Sequence, residues 1–130
     1  MAQKYIIGDL VKVSLEDKEQ IVSVIGYNPT YKRYLLTNEY IHNTRGCIFA
    51  TENEILPISL TLEFLEKNGW KKPDAFDSYW LDKIGLLQDG DIWHSALGST
   101  KIAITLGDIQ YIHELQHLLF GLRLNSEMEV

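Results

Sequence analysis

Pro57-Ile58-Ser59-Leu60-Thr61-Leu62-Glu63-Phe64-Leu65-Glu66-Lys67-Asn68-Gly69-Trp70 is where the chain changes character. Proline has no N–H to give a sheet and disfavours helix in the residue before it, so it ends what lies upstream. Thr61 offers a hydroxyl to cap a helix, Leu62 to Asn68 supply two turns, and Gly69 fits the left-handed position just past the end. Leu62, Leu65 and Phe64 are the expected buried stripe. Trp70, one residue beyond the glycine, is expected to fold back on the last turn.

Upstream of Pro57 the chain reads as short strands: Ile6 to Val13, Gln20 to Ile25, Tyr31 to Thr37 and Cys47 to Thr51. They are rich in Val, Ile, Tyr and Leu. Turn chemistry separates them at Glu16-Asp17-Lys18, Gly26-Tyr27-Asn28-Pro29 and His42-Asn43-Thr44-Arg45-Gly46. Ile21, Ser23 and Ile25 alternate with Val22 and Val24, which predicts burial on both faces of that strand. Short strands joined by tight turns predict a small meander or an SH3-like barrel.

Downstream, strands are expected at Ser78 to Leu81, Ile84 to Gln88, Asp91 to Leu97 and Lys101 to Thr105. Gln88-Asp89-Gly90-Asp91 is a hairpin turn, because Asp-Gly tolerates the positive φ required there. Leu97-Gly98-Ser99-Thr100 is a second turn. A final helix is expected from a capping-box-like start at Thr105 and Asp108 to Leu119 or Phe120, stopped by Gly121. The tail from Leu122 to Val130 alternates apolar and polar residues apart from Ser126, which predicts a half-buried terminal strand.

Composition sets outer bounds. The 130 residues are 45% hydrophobic and 23% charged, an ordinary globular balance for a chain able to fold without staples. The net charge of −6 argues against an extended nucleic-acid footprint, which needs clustered Lys and Arg. Lys32-Arg33 and Lys71-Lys72 are too short to be basic tracts. Cys47 is the only cysteine, so no disulfide forms within the chain and no cysteine-based zinc site exists. No secretory apolar region opens the sequence and no apolar run approaches membrane-spanning length, so a cytoplasmic protein without membrane contact is expected.

His113-Glu114-Leu115-Gln116-His117 matches the zinc-peptidase pattern H-E-x-x-H, in which two histidines one turn apart hold the metal and the glutamate deprotonates its water. Three arguments weigh against that chemistry. A catalytic zinc takes three protein ligands, yet Phe120 and Arg123 stand where the extended motif has glycine and its third histidine. His42 and His94 are the only other histidines, and Glu127 and Glu129 fall on the expected terminal strand. On a helical wheel Ile112, Leu115, Leu118, Leu119 and Leu122 share one side while His113 and His117 project from the other, toward solvent or a rim. The chain also lacks length for a peptidase cleft. The expectation is no catalytic residue, no metal and no cofactor. His113 and Gln116 are expected to be structural polar groups bonded to strand backbone.

Four stretches carry a resemblance, one of them the tail Leu124 to Val130, which resembles a short terminal strand. Residues Ile58 to Trp70 resemble the "PLT-x-E-x-L-x-K-x-GF" signature of small uncharacterised Bacteroides-type phage and prophage proteins. Ile109 to His117 is similar to their closing "Y-V-H-x-L-Q-x-L" helix, and Gly8-Asp9-Leu10-Val11 to their "GD-x-V" strand. In that pattern His113, Leu115 and Gln116 recur while the positions of Glu114 and His117 vary, which makes the zinc-motif match accidental. The resemblance implies a phage or mobile-element origin, with localisation in the bacterial host cytoplasm. It transfers no functional residue.

Ligand-binding candidates lie elsewhere. Trp80 and Trp93, with Tyr79 and His94, fall on the central strands, where an aromatic face stacks a base, although Trp70, Trp80 and Trp93 also suit a core. Strand alternation puts Trp93 and His94 on opposite sides. Lys32 and Arg33 stand among Tyr27, Tyr31, Tyr34 and Tyr40, a basic and aromatic patch suited to a protein or an anion. Cys47 reads as a buried, inert thiol.

The expected architecture is therefore α+β. A small SH3-like β-barrel or meander lobe (1–57) precedes an α-β-β-β-α-β lobe (58–130), or the two make one compact unit. The expected function is a non-enzymatic binding module acting on a host protein or small signalling ligand, with Trp80, Trp93, Lys32 and Arg33 as binding residues and a homodimer allowed. The competing readings are a compact zinc hydrolase and a nucleotide-sequestering, anti-defence protein.

Overall fold

Strands β1 (Leu10–Leu15), β2 (Lys18–Asn28) and β3 (Arg33–Thr37) form an antiparallel meander. The turn between the first two uses Glu16 and Asp17 at φ of 53° and 63°, the two positive values a tight hairpin needs. β4 (Ile48–Thr51) pairs with β3. After a 3-10 turn at Glu52–Glu54, β5 (Ile55–Leu56) returns to pair with β1. The order β4-β3-β2-β1-β5 curls into a half-barrel. The computed structural model behind this description covers residues 4–73, 77–99 and 102–129.

Val11, Val13, Val22, Val24, Tyr34 and Leu36 alternate onto the concave side and are buried. Burial on both faces of β2 is not found: Ile21 and Ile25 are exposed on the convex side. Three further expectations fail here. Ile6 to Asp9 is a turn rather than the start of a strand, because Asp9 Oδ2 accepts from the Ile6 N–H at 2.9 Å. Gly26, Tyr27 and Asn28 continue β2 beyond a bulge. His42 to Arg45 is not a turn but part of helix α1 (Glu39–Arg45), which Asn38 caps by accepting from Ile41 N–H at 2.8 Å and which Gly46 ends at φ 81°.

The second sheet contains β6 (Tyr79–Leu81), β7 (Ile84–Asp89), β8 (Ile92–Gly98) and β9 (Ala103–Ile109), all antiparallel in that order. Among the described residues four strands thus separate the helices, as in the four stretches read from the sequence and one more than the α-β-β-β-α-β outline holds. The β7–β8 hairpin closes at Gly90, φ 62°, as Asp-Gly chemistry requires. Thr100 and Lys101, from the expected second turn and last strand, lie outside the described residues.

Helix α2 (Leu62–Lys67) begins where Thr61 Oγ1 accepts from Phe64 N–H at 3.2 Å and ends where Trp70 N–H reaches Leu65 O at 3.0 Å across Gly69. Its buried residues are Phe64 and Leu65; Leu62 is exposed instead. Helix α3 (Ile112–Gly121) starts later than expected, because Thr105 and Asp108 belong to β9. Ile84, Leu86, Trp93, Leu115 and Leu119 fill the core between sheet and helices with Trp70, and each such side chain contributes roughly 1.5–3 kcal/mol by leaving water.

The tail beyond α3, whose last residue Val130 lies outside the described residues, keeps the expected alternation of burial but joins no sheet among the described residues. Side chains hold it instead. Asn68 donates from Nδ2 to Glu129 O at 2.7 Å and accepts from Glu129 N–H at 2.8 Å, copying a strand neighbour with one amide. Leu124 and Met128 thereby pack on the core.

Candidate functional site

The zinc-like pentad opens α3, and that position decides what its glutamate does. The first N–H groups of a helix have no partner inside it. Glu114, at the third helical position, turns back so that Oε1 accepts from Gln110 N–H at 2.9 Å and Tyr111 N–H at 3.0 Å. The carboxylate that would serve as general base closes the helix start.

The two histidines do not face solvent together, as the wheel suggested. They turn toward the first lobe. His113 is buried, stacked 5.8 Å from Tyr111 and edge-on to Tyr5 at 5.0 Å. Its Nδ1 has no hydrogen-bond partner among the described residues, so the expected backbone bond is not made. Burial, reinforced by His117, pushes its pKa down to about 4 and keeps the ring neutral. His117 Nε2 donates to Asp9 Oδ2 at 2.7 Å. Asp9 is itself buried, and desolvation raises its pKa even though the Ile6 N–H and His117 oppose the shift. No group of three or more potential metal ligands exists among the described residues.

Gln116 does what its place at the edge of the apolar face predicts. Oε1 accepts from Leu10 N–H at 2.8 Å, while Nε2 donates to Gly8 O at 2.9 Å and Ser126 O at 3.2 Å. One side chain thus ties the first strand, the last helix and the tail. Sequence reasoning missed Asp9; the cue was a lone carboxylate after Gly8, which takes φ 98° and turns the chain back on α3.

The binding candidates separate. Trp93 is fully buried and donates from Nε1 to Leu60 O at 3.1 Å; it offers no face to a ligand, which corrects its assignment as a binding residue. Trp80, opposite Gly85 in the β6–β7 ladder, covers that glycine so closely that a Cβ there would lie 2.6 Å from the ring. Its indole donates to Ser78 Oγ at 2.7 Å. One ring face of Trp80 is thus already occupied. His94, on the face of β8 away from buried Trp93, lies between Asp108 at 2.6 Å and Asp89 at 3.0 Å, and these carboxylates raise its pKa. Cys47 is half-buried just before β4.

Lys32 and Arg33 stay together on the surface at the start of β3, where Lys32 takes φ 53°. Arg33 lines a depression of about 260 Å³ with Asn28, Tyr31 and Phe49. Tyr31 is 71% and Phe49 57% exposed, two aromatic rings adjoining in one surface depression. Ladder geometry explains the cluster: Asn28 is opposite Arg33, Leu35 is opposite Phe49, and these side chains share the convex face. β4 is an edge strand of this sheet. Arg33 forms no salt bridge among the described residues. Phe49 was not singled out from sequence.

No family model, curated protein or solved structure matches the chain. No helix among the described residues is long and apolar enough to cross a membrane.

Proposed function

We propose that the protein is a non-enzymatic binding module of phage or mobile-element type whose target is a host protein, gripped on the convex face of the first sheet by Tyr31, Arg33 and Phe49. The carrying observation is the coincidence, in one open depression of about 260 Å³, of two exposed aromatic rings and a guanidinium without a salt bridge among the described residues. Tyr, Arg and Phe are the side chains enriched where proteins meet. The depression is shallow and borders an edge strand, which favours an extended segment with an apolar side chain and a carboxylate over an enclosed small molecule. We read the lobe that carries it as SH3-like, on the strand order and the 3-10 turn before β5.

The nucleotide-sequestering alternative loses Trp93 to the core, and the hydrolase alternative loses Glu114 to the helix start. Immobilised wild type, Phe49→Ser and Arg33→Glu proteins, each exposed to host lysate, test the reading. A partner retained by wild type should bind each variant about 30-fold more weakly, the effect of a hot spot worth about 2 kcal/mol. No retained partner, or equal retention by all three, refutes it.

A further inference from the structure

We infer that β9 is a self-association edge, on which a second copy of this chain pairs its own β9 antiparallel across a two-fold axis. An unpaired strand edge presents N–H and C=O groups that only another extended chain can match. The sheet edges differ in how they are closed. The outer side of β6 is occupied by Lys71, whose backbone exchanges hydrogen bonds of 3.0 and 2.7 Å with Trp80. β5 has two residues and β4 four, the latter running directly into Glu52 and Glu54. β9 has seven residues, and nothing pairs with its far side among the described residues.

The sequence of that edge argues for a like partner. Ile102-Ala103-Ile104-Thr105-Leu106-Gly107 contains no charge and no proline, two of the usual guards of an exposed edge, and carries a bulge at Leu106 in its pairing with β8. Ile102 is 80% and Ile104 68% exposed. A foreign partner would be selected by charge, and the stretch Ile102 to Gly107 has none to offer; Asp108 near the end of β9 is the strand's one charged side chain. Two copies carrying −6 each repel over most of their surface, so association is favoured where carboxylates are missing or balanced. The next carboxylate, Asp108, is hydrogen-bonded to His94 at 2.6 Å, an imidazole it shares with Asp89. Antiparallel self-pairing continues the antiparallel sheet and is its own complement, as a two-fold interface must be. Seven residues give about 24 Å of shared edge, less than the roughly 800 Å² per partner of a standard interface requires, so the dimer is weak and concentration-dependent.

Sedimentation of the full chain over a concentration series, paired with hydrogen exchange, is the test. The expected result is a monomer–dimer equilibrium in which amides of residues 103–107 gain protection as concentration rises. Ile104→Lys should weaken association by about tenfold or more with unchanged circular dichroism. Ala103→Lys, at another exposed position on the same strand, serves if Ile104→Lys unfolds. A monomer at every concentration overturns the inference. So does a dimer indifferent to these lysines, or protection of β9 only on adding a foreign peptide.

Discussion

His113 is a neutral imidazole enclosed by Tyr5, Tyr111 and His117, with its folded pKa near 4 against an ordinary 6.5. A base with a depressed folded pKa binds fewer protons in the native state than in the unfolded chain. Its contribution is therefore complete above pH 6.5 and disappears as pH falls toward 4. Asp9 has the opposite sign, since its raised pKa means that ionising it costs stability as pH rises. Between pH 6.5 and 4 the imidazole should dominate, with a loss on the order of 3 kcal/mol. Urea midpoints across that range should fall for the wild type and stay flatter in His113→Phe, which keeps a ring in the slot without a titrating nitrogen. Equal slopes would show that His113 is not the group responsible. Sequence reasoning identified His113 as structural but sent it toward solvent, because a helical wheel knows only one helix. What buries His113 is Tyr5, more than a hundred positions away.

At the scale of elements, local signals were legible where they were self-contained. Thr61 to Trp70 carried its own cap and stop, and Asp89-Gly90 its own turn. α1 was missed although Asn38 and Glu39 supply a cap and first-turn acid, because Asn43 and Gly46 read as a turn and seven residues give little periodicity. The start of α3 was misjudged because Thr105 and Asp108 imitate a cap, while the pairing of β9 with β8 overrides them. The tail was read correctly for its alternation and wrongly for its partner: an Asn side chain does the work of a strand. Asn68→Leu should release it, since the lost amide also donates to Phe64 O at 2.9 Å at the end of α2. The expected cost is about 1–2 kcal/mol, with faster amide exchange over residues 126–129. Unchanged exchange there would disprove the clip.

For the molecule as a whole, α3 is shared property. Its aliphatic face completes the core of the second sheet, while Gln116 at the edge of that face and His117 beyond it hold the first lobe. Unfolding should therefore be a single transition, with ring signals from the first-lobe tyrosines and the second-lobe tryptophans lost together. Gln116→Leu removes the partner of the part-buried Leu10 N–H and of the Gly8 and Ser126 carbonyls and should cost about 1–2 kcal/mol. Two separated transitions in the wild type would contradict this coupling. The α+β class was legible in the sequence; the joint between the halves was not, because it depends on Asp9 meeting His117, and Gln116 meeting Gly8 and Leu10, across more than a hundred residues.

The depth of Glu114 within α3 has a wider bearing on motif scanning. A carboxylate in the opening turn has bare amides behind it and is drawn to them, whereas one buried further along a helix finds every amide already committed and is left at liberty for chemistry. Whether a pair of histidines flanking a glutamate can work as a hydrolytic centre thus depends on how many turns precede them, a property that the five letters alone do not encode.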